Sequence, residues 1–121
     1  MATLALTPES FINTINDNDI VLVDFWAPWW GPCLQFAPVY ESMSESHPDV
    51  VFAKVNTEEQ QQLGARFQIR SIPTLMVFRE QIIVFSQPGA LPPAALQSVI
   101  EKVAELDMDC LLYTSPSPRD L

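Results

Sequence analysis

Apolar and polar positions alternate with two different periods along this chain, and the change of period marks out its elements. Thr7-Pro8-Glu9 reads as an N-cap, a first-turn proline and an acidic first turn. The helix it opens carries Phe11, Ile12 and Ile15 on one face and ends in the polar run NDND, residues 16–19. Residues 20–26, IVLVDFW, form a nearly continuous apolar run of strand length, as expected of a central strand covered on both faces. From Gly31 to about His47, Phe36, Val39, Tyr40 and Met43 recur at helical spacing. Pro38 lies inside that helix, where a proline costs on the order of 3 kcal/mol and kinks the axis.

DVVFAKVN, residues 49–56, is the next strand, and Thr57-Glu58-Glu59-Gln60 reads as a capping box opening a third helix through Leu63 and Phe67. IPTLMVFRE (72–80) and QIIVFSQPG (81–89) have only Glu80-Gln81 clearly polar between them, which suits an antiparallel hairpin. A final helix starting near Pro92-Pro93 places Leu96, Val99, Ile100, Val103 and Leu106 on one stripe. A short strand at residues 3–5 completes the set, with no internal repeat. Early strands separated by helices and a late hairpin imply an α/β fold, a mixed central sheet with helices on both faces.

Length and charge narrow the function classes. At 121 residues the chain is long enough for one domain with a core and too short for two. Its 6 Lys and Arg against 15 Asp and Glu give a net charge of -9, which repels phosphate backbones and anionic lipid. Nucleic acid and membrane partners are therefore not expected, and the acidity most simply serves solubility. The N-terminus has no basic n-region, and no apolar run approaches the roughly 20 residues that span a bilayer. Cytoplasm is the default location.

The helical pattern stops at Asp109 and gives way to CLLYTSPSPRDL. Residues 110–120 resemble a transposase-type sequencing adapter translated in one frame, so residues 1–109 are taken as the domain and 110–121 as an artefact outside the fold. An adapter marks the end of a sequenced fragment, so the natural chain need not stop at Asp109. Setting Cys110 aside leaves Cys33 as the only cysteine.

Candidate chemistry concentrates in VDFWAPWWGPCLQFAP, residues 23–38. Asp24 lies inside an apolar strand, where an unpaired charge is expensive, so burial there would need a reason; the plainer reading is a strand-end carboxylate turned to water. Pro73, in SIPT, precedes a strand, a position that tolerates proline. His47 has no second metal-type ligand near it in sequence and reads as a surface residue at a helix end. No phosphate loop, Ser/His/Asp arrangement or paired-carboxylate motif is present, and neither a cofactor nor a metal is expected.

Three separated motifs, VDFWAPWWGPC, SIPT and QPGAL, together resemble the thioredoxin family from about Thr3 to Leu106. The resemblance implies a thioredoxin fold and thiol-disulfide exchange with extended protein or peptide substrates. It also implies a thioredoxin-reductase-type electron donor and a monomer. In that family the first cysteine of Cys-Gly-Pro-Cys is an exposed nucleophile at a helix start, and the second resolves the mixed disulfide. Matched by motif, Trp30 occupies the nucleophile position, Cys33 the resolving one, and Trp29, Gly31 and Pro32 complete the active-site loop. Asp24 matches the carboxylate that handles the resolving cysteine's proton as a general base with an elevated pKa, and Lys54 matches a lysine near it. The Ile72–Pro73 peptide bond is cis in the family and offers backbone groups to substrate. Trp29, Trp30, Ile72 and Pro73 would form an apolar rim, with Gly89 allowing close backbone approach. Trp26 belongs partly to the core.

The departures are Trp30, Pro28 and Leu34, the last standing where a basic residue is common. An indole has no lone pair to offer a disulfide sulfur, so the dithiol cycle is abolished as written. Cys33 alone would be shielded, with a pKa near or above the roughly 8.5 of a free thiol. Three readings of Trp30 stand: a base error, since cysteine and tryptophan codons differ only at the third base; a redox-inactive module that binds peptides; and a monothiol enzyme.

Overall fold

A computed structural model describes residues 3–111. The adapter reading of residues 110–121 falls outside the described residues beyond Leu111; Met108–Leu111 is a short helical turn, α5. The order is β1 (Thr3–Ala5), α1 (Pro8–Asp17), β2 (Ile20–Trp26), α2 (Gly31–Ser46), β3 (Val51–Asn56), α3 (Gln61–Arg66), β4 (Thr74–Arg79), β5 (Ile82–Pro88) and α4 (Pro93–Ala104). One sheet holds the strands in the order β1-β3-β2-β4-β5. β1, β3 and β2 run parallel, while β4 and β5 pair antiparallel. Among the described residues no helix is long and apolar enough to cross a membrane.

The apolar run of β2 has the cause its pattern suggests, because side chains of a strand alternate between faces and both faces are covered. Val21, Val23 and Phe25 join Phe11 and Ile15 of α1, Leu63 of α3 and Phe67 in one core. Leu22 points the other way, into a second core with Phe36 and Tyr40 of α2 and Leu96 and Ile100 of α4. By the same alternation Asp24 faces α2, and its backbone pairs in register with Lys54 of β3 and Leu75 of β4.

α1 is closed by a capping box of Thr7 and Ser10, each side chain bonded to the other's backbone N–H. The capping box expected at 57–60 does not form. Thr57 instead bonds the Trp26 carbonyl through both its N–H (2.9 Å) and its hydroxyl (3.1 Å), fixing it to the end of β2. The Asn56 side chain accepts from the N–H groups of Glu58 and Glu59, and α3 begins only at Gln61. α2 runs unbroken through the exposed Pro38.

The hairpin turn is Glu80-Gln81, with φ of 49° and 72°, the left-handed conformations of a tight two-residue connection. The last residue of β4, Arg79, reaches across to the end of α4 and donates to the carbonyls of Val103, Ala104 and Leu106. That guanidinium supplies the partners a helix C-terminus lacks.

Candidate functional site

The site lies where β2 ends, α2 begins and the loop before β4 passes. After Trp26 the chain leaves the sheet through buried Ala27 and exposed Pro28, and the Trp30 N–H turns back to the Ala27 carbonyl. Trp30 is the residue at the cap of α2; its backbone is extended and its side chain makes no capping bond. Gly31 and Pro32 fill the exposed first turn, and Cys33 follows on its inner side.

Burial separates these neighbours sharply. Trp29 is 61% exposed and Trp30 42%, their rings edge to face at 5.9 Å, whereas Cys33 is 1% exposed. The Trp29 indole N–H donates to the Glu58 carboxylate, a partner no sequence signal indicated. Leu34 is also exposed and extends the apolar surface along α2.

Asp24 is buried, and neither carboxylate oxygen has a hydrogen-bond partner among the described residues. Burial pushes its carboxyl up to about 7, with a smaller downward pull from Lys54. Lys54 rests its ammonium over the Trp26 ring, 4.1 Å from the centroid, and is half-buried. The Cys33 thiol is likewise pushed up, first by burial and then by the Asp24 charge, against a hydrogen bond with the Ala27 backbone and the pull of Lys54. Asp24 and Cys33 are therefore electrostatic neighbours, on the face of β2 that α2 covers.

The Ile72–Pro73 peptide is cis. Pro73 is buried and Ile72 half-buried. An open groove of about 410 Å³ is lined by Trp29, Trp30, Arg70, Ser71 and Ile72; of the four residues expected at the rim, buried Pro73 does not line it, and Arg70 and Ser71 do so in addition. Both stand immediately before Ile72-Pro73 in sequence, and that adjacency was the available signal. Gly89 donates its N–H to the Pro73 carbonyl at 2.8 Å and so holds the loop from behind. Its glycine is explained by φ of +98° rather than by close approach, since a Cβ there would meet nothing within 4 Å. Among the described residues no group of three or more His, Cys, Asp or Glu could hold a metal. His47 ends α2, its Nδ1 3.0 Å from the Met43 carbonyl.

Chemically, the arrangement offers an exposed aromatic groove beside a helix start, with a buried thiol behind it and a buried carboxyl raised to about 7.

The family model described as Thioredoxin matches residues 2–102. A relative from Streptomyces coelicolor is 58% identical over 108 residues, covering 89% of this chain and 81% of its own length. Thioredoxin 1 of a Nostoc species is 41% identical over 103 residues, covering 84% of this chain and 96% of its own. Among solved structures, a mutant thioredoxin from Halobacterium salinarum superposes with a TM-score of 0.79 at 34% identity, covering 86% of this chain and 92% of that one.

Proposed function

This chain belongs to the thioredoxin family, and we propose that, with tryptophan at position 30, its site performs the binding half of a thiol-disulfide oxidoreductase's task without the exchange. By homology the lineage is one of thiol-disulfide oxidoreductases that act on protein substrates with reductase partners. The observation that carries the proposal is the contrast at the start of α2. The outward position holds an exposed indole, and the cysteine behind it is buried, with its thiol pushed up. Exchange begins with an accessible thiolate, and neither residue supplies one. What remains is a groove beside the cis Ile72–Pro73 peptide with two exposed tryptophans, suited to an extended segment of a protein partner.

Asp24 favours a second reading, in which position 30 is natively cysteine and the protein is a disulfide reductase. A buried carboxyl without hydrogen-bond partners costs stability and helps no packing, yet a pKa of about 7 suits it to move a proton. With a thiolate at position 30, attack on a substrate disulfide would form a mixed disulfide and release one substrate thiolate, which takes a proton. Asp24 would then accept the Cys33 proton, and the Cys33 thiolate would attack the sulfur at position 30. That step releases the second substrate thiol and leaves the protein's pair oxidised until a dithiol donor returns two electrons.

Insulin reduction by the protein as written, beside Trp30→Cys, separates the readings. We expect no turnover from the first and turnover from the second. Reduction by the unaltered protein would show that Cys33 attacks unaided and would overturn both. Resequencing the natural locus decides residue 30 and the tail together, since we take residues 110–121 as adapter-derived and residues 1–109 as the domain. The lineage's reducing chemistry supports a cytoplasmic location, and the family resemblance supports a monomer.

A further inference from the structure

We propose that Arg70 is a specificity-determining residue of the groove, selecting extended segments that carry a carboxylate side chain beside a large apolar one. The inference rests on the peptide-binding reading above and deepens it.

The other described cations near this end of the molecule are engaged. Lys54 lies over Trp26, and Arg66 lies 5.6 Å from the Phe67 ring centroid. Arg79 lies at the opposite end of the sheet, paired with Ile20, and is held on the end of α4. Arg70 is exposed and makes no hydrogen bond or ion pair with any described residue. Its position is central, because it lines the groove of Trp29, Trp30 and Ile72 and two adjoining hollows. One of these includes Gln68, Thr74 and Ser86, the other Thr57, Gln61 and Ala65.

A segment lying on the Trp29–Trp30 surface therefore passes a free guanidinium, whose planar fork matches a carboxylate's two oxygens. The net charge of -9 limits what it can select. A polyacidic partner is repelled by the rest of the molecule, so the fit is a single carboxylate next to an aromatic or aliphatic side chain in an otherwise uncharged segment.

Two acetylated, amidated hexapeptides, identical except for Asp or Asn beside a phenylalanine, test this by titration followed through backbone amide shifts. The Asp peptide is expected to bind about two- to fivefold more tightly at low salt, the range of an exposed ion pair. The preference should disappear in Arg70→Gln and shrink at high salt. Equal binding of the two peptides to the unaltered protein, or a preference that survives Arg70→Gln, overturns the assignment and leaves the groove reading standing. Binding of neither peptide overturns both.

Discussion

The two longest helices of the N-terminal half begin in opposite ways. α1 starts at a threonine whose hydroxyl accepts from the Ser10 N–H, while the Ser10 hydroxyl accepts in return from the N–H of Thr7. α2 starts at a tryptophan with no capping bond. Their backbones are alike, with φ and ψ of -110° and 169° at Thr7 and -95° and 122° at Trp30, so the difference is one of side-chain chemistry. α1 closes its own N–H donors. α2 leaves its start open toward a groove, with the only charged side chain among the buried described residues, Asp24, on the sheet face beneath it. A capped start serves stability; an open one leaves backbone N–H donors and the positive end of the helix dipole unpaired beside the groove.

The strongest way to sharpen the contrast is Trp30→Cys, which places a thiol at the open start. Insulin reduction should rise by at least about a thousandfold, because a covalent route replaces none. A variant as inert as the parent would show that the open start alone does not activate sulfur in this chain.

Asp24→Asn comes next. With the carboxyl raised to about 7 in the folded protein and near its ordinary value when unfolded, the folded state holds the proton more tightly. Stability is then fully present below about pH 4, falls as pH rises toward 7 and levels off above it, a loss on the order of 4 kcal/mol. Urea midpoints at pH 5 and pH 8 should differ in the parent and converge in Asp24→Asn, which should also be the more stable at pH 8. A parent curve flat over that interval would mean that Asp24 finds a partner.

Smaller effects test the caps themselves. Thr7→Ala removes the closed start of α1 and should cost about 1 kcal/mol in urea unfolding. The reverse substitution in kind, Trp30→Ser, gives α2 a cap residue on backbone already extended for it. It should add about 0.5 kcal/mol while weakening peptide binding at the groove. If Trp30→Ser destabilises the protein instead, the indole contributes more to packing than its exposure indicates.

Much of the architecture was legible because period and burial have one cause. The apolar run of residues 20–26 had to be covered on both sides, and the sheet with helices on both faces does so. The hairpin could be read from its two runs around Glu80-Gln81, since so few residues leave no room for a crossover. The false capping box at residues 57–60 shows the limit. Its letters fit, but the Trp26 carbonyl, far away in sequence, bonded Thr57 first. Arg79 escaped notice for the same reason: nothing near it in sequence indicates the α4 carbonyls it reaches.

The site divides in the same way. Local order determined what stands at the start of α2, an indole in place of a sulfur and a cysteine one turn in, because helix position follows from spacing along the chain. Only the tertiary structure decided that Asp24 would be buried without a partner, that Glu58 would hold Trp29, and that Arg70 would stand free beside the tryptophans. Those are contacts between segments brought together by strand order. Burial, proton affinity and groove shape depend on which atoms surround a group, and a linear pattern does not specify its neighbours in space.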